Sequence, residues 1–409
     1  MKYTNDLTPF DMKQKPSKQY PILMPLIWGG SYLLTRQFGL KIEHKNMENI
    51  KPPFLVIGMH QGFSDYYIGP LSVFPRRAMF VSDMEGFEAF GKWLYRGLGC
   101  IGKRRYVSDI MVIKNIKYAL SSGQSVFVYP ESRHSNVGTT SYIPQNMGKL
   151  CKMLKVPVVV LTEHGSYLAN PFWDEEHTRK VPIRATLTCI YNEEELQKAS
   201  SSEIQAKIES MLAYDEYEYQ RTNKIKIDYK KRAEGLHKPL FYCPVCKTKY
   251  HMISKDDYLS CTKCESKWNM SVYGELIHQG DEKKTHIPDW YEKERQLVIS
   301  EPVDRSFNVN IEALPNEKGF VKMGTGRLTL DEEQFTLEFD DKKYENIIFR
   351  HEIRESVQTE YNYKGQGMCI VLSTRDCCYY IYSKDENFNP TELQFIGEHL
   401  FKKSLEKKK

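Results

Sequence analysis

The chain has 409 residues, and 58 Lys and Arg against 53 Asp and Glu give it a formal charge of +5. Hydrophobic residues at 41% and charged residues at 27% exclude a disordered, collagen-like or polytopic membrane protein, and the length predicts two or three domains. So small a charge does not mark a nucleic-acid binder, but it suits mild attraction to an anionic surface or substrate. Ten cysteines are too few for a disulfide-stapled secreted scaffold. Residues 1–18 are polar, without the apolar stretch of a secretory signal, so a reducing cytosol is expected.

Residues 19–35 read QYPILMPLIWGGSYLLT and carry no charge. The run is shorter than the ~20 apolar residues of a spanning helix, and Pro21, Pro25, Gly29 and Gly30 interrupt it. Lys13, Lys15 and Lys18 precede it, Arg36 and Lys41 follow, and Trp28 and Tyr32 suit headgroup level. Residues 1–50 are therefore read as an interfacial helical segment lying on the bilayer. A buried helix pair opening a globular domain is the alternative.

From residue 51 onward, short apolar runs alternate with amphipathic stretches. Strands are predicted at 54–57, 125–129, 156–161 and 183–191, and helices at 108–120, 146–154 and 202–214. This alternation indicates an α/β layer fold over 51–214. Residues 215–238, dense in charge and tyrosine, read as a partly helical connector.

Cys243-x2-Cys246-x14-Cys261-x2-Cys264 then pairs two knuckles at a separation suited to tetrahedral four-sulfur coordination. A zinc ribbon over 239–280 is predicted, with zinc rather than iron. Its role is structural, because four thiolates leave no open position. Four unligated thiols are the alternative. Ribbons of this kind often bind nucleic acid or protein, but the flanks here are only mildly basic, and no nucleic-acid partner is expected. Residues 280–295 read as a charged linker.

Over 295–405 the pattern has period two, as in Gln334-Phe335-Thr336-Leu337-Glu338-Phe339, and a helix is predicted at 391–403. About seven short antiparallel strands capped by one helix is the layout of a PH-like barrel, with a β-sandwich as the alternative. A basic tail, 407–409, ends the chain.

Four blocks carry chemistry. Gly58-Met59-His60-Gln61-Gly62-Phe63-Ser64-Asp65 follows a predicted buried strand. Ligands of open α/β sheets bind beyond the carboxyl ends of such strands. A histidine oriented by a carboxylate can take a hydroxyl proton; a surface histidine beside a helix-capping Asp65 is the alternative. Gly99-Cys100-Ile101-Gly102-Lys103-Arg104-Arg105 suggests a phosphate site, since guanidinium groups match phosphate oxygens; a plain basic loop is the alternative. Tyr129-Pro130-Glu131-Ser132-Arg133-His134-Ser135 follows a second strand, and either joins the His60 edge or forms a solvated turn. Val156-Pro157-Val158 opens a third.

In order and spacing these blocks resemble the glycerolipid acyltransferase family, which includes the 1-acylglycerol-3-phosphate acyltransferases, over residues 21–212. The resemblance implies that His60 is a catalytic base and Asp65 its orienter. It implies that a glycerol hydroxyl attacks an acyl thioester on CoA or acyl carrier protein. Arg105, with Arg104 one residue out of register and Lys103 beside it, would contact the acceptor phosphate. Glu131 would help place the acceptor, and Arg133 would lie at the headgroup site. The implied reaction turns 1-acylglycerol-3-phosphate into phosphatidic acid, on a protein peripheral to the inner face of the cell membrane. A catalytically inactive lipid-sensing or scaffolding protein is the alternative, and the intact His60/Asp65 pair argues against it. Ser132, Arg133 and His134 stand where the family usually has Gly, Thr and Arg, and Met59 where it often has Asn, so another acceptor is open. The expected whole is an α/β acyltransferase domain with a mixed sheet and flanking helices, a small zinc ribbon and a β-rich PH-like barrel.

Overall fold

The computed structural model describes residues 2–174 and 176–407, so only Lys407 of the basic tail is included. Its first sheet has seven strands: β1 (Lys41–Lys45), β2 (Leu55–Gly58), β3 (Ala78–Asp83), β4 (Ile101–Lys103), β5 (Ser125–Val128), β6 (Val158–His164) and β7 (Arg184–Tyr191). Their order is β1-β7-β6-β2-β5-β3-β4. The five strands from β6 to β4 are parallel, β7 runs against β6, and β1 runs with β7. The sheet is therefore mixed. β2 and β5 are buried throughout, which is why they read as unbroken apolar runs. β1, β3 and β4 escape the apolar reading for local reasons. β1 is a charged edge strand, β4 has three residues, and β3 ends in half-buried Ser82-Asp83.

The apolar N-terminal run forms a helix, Met24–Thr35, packed against the helix Asp65–Ser72. Trp28 meets Phe74 edge-on at 4.9 Å between ring centroids. The helix buries Met24, Ser31 and Thr35 but leaves Ile22 just before it 81% exposed and Leu26 71% exposed. Trp93 is 70% exposed nearby, its ring 6.3 Å from that of Tyr20 and tilted by 52°. Burial of Ser31 and Thr35 with exposure of large apolar side chains is the reverse of a water-facing helix. Among the described residues no helix is long and apolar enough to cross a membrane.

Residues 215–238 are packed more tightly than their charge density suggests. Asp215 caps the helix Glu216–Thr222 by accepting from Glu218 N, and Tyr217, Ala233 and Leu236 are buried. Beyond them lies a five-stranded antiparallel sheet in chain order: β8 (Met252–Lys255), β9 (Tyr258–Cys261), β10 (Lys267–Met270), β11 (Glu275–His278) and β12 (Lys284–His286). The expected linker at 280–295 is instead largely a helix, Ile287–Ile299. Ile287, Trp290, Tyr291 and Val298 lie on one buried face, a helical spacing hidden between charged neighbours.

The last sheet is antiparallel: β13 (Arg305–Leu314), β14 (Val321–Leu330), β15 (Gln334–Phe339), β16 (Ile347–Arg350), β17 (Gln358–Glu360), β18 (Cys369–Ser373) and β19 (Cys378–Tyr382). The order is β16-β15-β14-β13-β19-β18-β17, one sheet rather than the two of a sandwich. It forms a half-barrel with the helix Pro390–Glu406, which Asn389 caps by accepting from Thr391 N and Glu392 N. That helix is buried at Leu393, Gln394, Phe395, Ile396, Glu398, Leu400 and Phe401, more than one face, because it is covered from several sides. One apolar cluster runs from Phe54 and Trp173 through Trp268 and Trp290 to Phe307 and Phe395, so the three parts share a core. The N-terminal segment adds to this, with Phe10 N donating to Pro315 O at 2.9 Å.

Candidate active site

The parallel strands end along one edge of the first sheet, and the chemistry-bearing blocks follow those ends. His60 lies just beyond β2, and Asp65 opens the next helix. His60 Nδ1 and Asp65 Oδ2 are 3.1 Å apart, with Asp65 fully buried. The same carboxylate accepts from Gly62 N at 3.1 Å and from Ser166 Oγ at 2.7 Å. A carboxylate that accepts these donors holds the imidazole proton on Nδ1 and leaves Nε2 as the basic nitrogen. The His60 ring stacks on Tyr129 at 4.5 Å, and the Tyr129 hydroxyl donates to Asp65 O at 3.0 Å. Gly58 permits this packing, since a Cβ there would lie 2.6 Å from Phe127.

His134 lies edge-on to His60 at 4.3 Å, and its Nε2 is buried without a hydrogen-bond partner among the described residues. Burial, then the neighbouring His60, pushes its pKa well below the usual histidine range, so it is a neutral imidazole. Glu131 does not face outward to an acceptor. It accepts from His60 N at 3.1 Å and from Ser141 N at 2.6 Å, and so braces the backbone of the His60 loop.

Burial pushes the Glu131 carboxyl from 4.5 up to about 7. The folded chain then holds this proton more tightly than the unfolded one. The resulting stability is fully present below pH 4.5 and is lost as pH rises through about 7, by about 3 kcal/mol. Thermal unfolding followed from pH 5 to 8 is expected to show a steeper decline for the natural chain than for Glu131→Gln, and parallel profiles would contradict this role for Glu131.

Three further groups surround the pair, and sequence reasoning did not find them. Ser166 holds Asp65. Glu163, at the end of β6, is fully buried beside Asp65, and burial, then the Asp65 charge, pushes its pKa well up. Glu216, from the connector, accepts from Gly165 N at 2.6 Å, from Gln61 Nε2 at 3.3 Å and contacts His164 Nδ1 at 2.9 Å. An acid at the carboxyl end of a parallel strand is a signal that points to Glu163; nothing local points to Glu216.

The four cations expected at a phosphate are brought near this edge, but each is already partnered. Lys103 Nζ donates to Ser132 Oγ at 2.7 Å. Arg104 turns away, donating to the carbonyls of Arg375, Asp376 and Pro315 at 2.6, 2.9 and 3.2 Å. Arg105 pairs with Asp83 at 2.5 Å, Glu360 at 3.5 Å and Glu85 at 3.8 Å. Arg133 pairs with Glu398 at 3.5 Å, and Glu398 also takes Arg295 at 2.5 Å and the Ser356 hydroxyl at 2.6 Å. The expectation that Arg104 faces an acceptor fails because the C-terminal sheet offers it three carbonyls.

Residues 41–162 match the acyltransferase family model. They form an acyltransferase-type domain. The match spans the His60 and Asp65 pair, the Lys103–Arg105 block and Glu131 to His134. Among solved structures, the chain is similar to the 1-acyl-sn-glycerophosphate (LPA) acyltransferase PlsC from Thermotoga maritima, at 18% identity and a TM-score of 0.34, over 47% of this chain and 81% of that one. No curated protein matches the chain.

Away from this edge, Cys243, Cys246, Cys261 and Cys264 bring four sulfurs within 4.8 Å of one another. Two of the separations are 3.7 Å (Cys243–Cys264) and 3.6 Å (Cys246–Cys261). Tetrahedral zinc with bonds of about 2.3 Å requires sulfurs about 3.8 Å apart, so the donor set fits this metal. The two knuckles are built alike. Lys247 N returns to Cys243 O and Glu265 N to Cys261 O, and both Lys247 and Glu265 have positive φ.

Proposed function

We propose that the chain transfers a fatty acyl group from an acyl thioester, on CoA or acyl carrier protein, to the hydroxyl of a lysophospholipid. The observation that carries this reading is the His60–Asp65 pair, held by Ser166 and Gly62 at the strand ends of an acyltransferase-type domain. His60 Nε2 takes the acceptor hydroxyl proton as the oxygen attacks the thioester carbonyl. The tetrahedral intermediate collapses, the C–S bond breaks, and the departing thiolate recovers the proton from the imidazolium. Asp65 fixes the tautomer and stabilises the imidazolium. The reaction implied by the resemblance is 1-acylglycerol-3-phosphate to phosphatidic acid, and that lipid is the reference acceptor. The buried, triply bonded Asp65 also weighs against an inactive lipid-sensing scaffold, where such a pair has no task. The test is release of CoA thiol coupled to diacyl lipid formation by the purified chain.

In this reading the acyltransferase domain covers 51–214, the connector 215–238, a zinc ribbon 239–280 with a structural ion on the four cysteines, and a PH-like domain 295–405. When bound, zinc ties the two knuckles together. Residues 1–50 hold the protein on the inner face of the cell membrane, supported by the outward-facing Ile22 and Leu26 and by Trp93. Ile22→Glu with Leu26→Glu is expected to lower partitioning onto anionic vesicles at least about tenfold in flotation, at an unchanged thermal midpoint. Equal flotation of the double variant would contradict this membrane-binding face.

A further inference from the structure

The residues around Arg105 come from two sheets. Asp83 ends β3 and Arg105 follows β4 of the acyltransferase domain, and Glu360 ends β17 of the C-terminal half-barrel. One guanidinium is thus ringed by three carboxylates at 2.5, 3.5 and 3.8 Å. The Asp83, Glu360 and Glu85 side chains keep 21%, 16% and 24% exposure, so the ring opens on solvent. Asp83 and Glu360 alone outnumber the guanidinium; Glu85, whose carboxyl burial pushes up, also accepts from the Tyr380 hydroxyl at 2.6 Å, and Glu360 from Gln358 Nε2 at 2.8 Å.

The ring borders the His60 pair. Tyr66 lies 6.0 Å from both His60 and His134 between ring centroids, and its hydroxyl feels Asp83 and Arg105. His134, 92% buried with Nε2 unpartnered among the described residues, lies 4.3 Å from the base between ring centroids, feels the charge of Arg105, and offers a neutral polar contact rather than a cation. Arg133 and Arg104 are likewise consumed by the C-terminal domain, through Glu398 and three carbonyls.

This arrangement opposes a dianionic phosphate, which would meet surplus negative charge at the cation meant to receive it. It favours a group that carries its own positive charge. We propose that the acceptor has an ammonium-bearing, zwitterionic headgroup rather than a phosphomonoester, and that Glu360 of the C-terminal sheet is the residue that selects it. The half-barrel then forms a fixed wall of the acceptor site. Undocking it would strip Arg104 of three carbonyls and Arg133 of its carboxylate, so a permanent wall is favoured over a lid.

The inference rests on acyl transfer at His60 and deepens it. The test uses the full chain, acyl-CoA, and three acceptors at matched concentration in the same neutral detergent: 1-acyl lysophosphatidylethanolamine, lysophosphatidylglycerol and lysophosphatidic acid. The natural chain is expected to show a kcat/KM at least about tenfold higher for the ethanolamine lipid than for lysophosphatidic acid. The glycerol lipid, a phosphodiester without an amine, falls between them. Glu360→Gln is expected to reduce the ethanolamine preference about tenfold through KM, with kcat little changed. Preference for lysophosphatidic acid by the natural chain would overturn the proposal, and needs no variant to be read. Equal rates on the ethanolamine and glycerol lipids, or an unchanged ratio in a folded Glu360→Gln variant, would overturn the ammonium contact. Transfer to none of the three acceptors would instead remove the acyl-transfer reading itself.

Discussion

His60→Ala is expected to lower kcat/KM for acyl transfer by about 10²- to 10⁴-fold, the usual contribution of one general base. The loss should fall mainly on kcat, because the proton transfer belongs to the transition state. His60 is the clean position for this test. Its Nδ1 has one side-chain partner, Asp65, and removing its ring leaves a gap bordered by Tyr129, His134 and Tyr66. Asp65→Ala would also cost activity, but it would strand the Ser166 hydroxyl and Gly62 N together with the imidazole. Asp65→Asn is more informative. Its amide can present a donor to Nδ1, favouring the wrong tautomer while keeping the shape of the site. Steady-state rates of thiol release and lipid formation check both variants, and wild-type rates in His60→Ala would remove the mechanism.

Removal of metal from the four cysteines is expected to have the largest effect on stability. Structural zinc in small four-ligand units contributes about 10–16 kcal/mol of apparent binding energy, and that energy is folding energy. The unit is also tied to its neighbours. Lys249 pairs with Glu392 of the C-terminal helix at 2.7 Å and with Glu301, and Tyr250 donates to Glu392. Tyr242 N donates to Glu294 of the Ile287–Ile299 helix at 2.7 Å. Chelation, or Cys243→Ser, should therefore lower the unfolding midpoint of the whole chain rather than melt residues 239–280 alone. Elemental analysis is expected to find one zinc per chain. A chain that holds no metal, or whose melting is indifferent to chelator, would contradict the assignment.

The edge that carries His60 and Asp65 was legible because its signals are local. An apolar run followed by His60 and Asp65 reports both the buried strand β2 and the helix start that brings the two side chains together. The knuckle spacing of the cysteines is local in the same sense. What the sequence concealed depends on partners far along the chain. Lys103, Arg104, Arg105 and Arg133 look like a phosphate site until Glu360, Glu398 and the carbonyls of Pro315, Arg375 and Asp376 are placed beside them. Glu131 reads as an acceptor contact, and only tertiary structure shows it bracing the backbone of His60. The charged edge strand β1 and the three-residue β4 have too few apolar residues to announce themselves. The helix Ile287–Ile299 hid behind its charges, although Ile287, Trp290, Tyr291 and Val298 carried the helical spacing.

Acyl transfer at His60 is tested most directly by a two-product assay on the purified chain, with acyl-CoA or acylated carrier protein as donor and the lysophospholipid panel as acceptors. One equivalent of free thiol is expected for each diacyl lipid formed, with both products lost together in His60→Ala. Thiol released without diacyl lipid, or diacyl lipid formed at wild-type rate by His60→Ala, would contradict acyl transfer at His60.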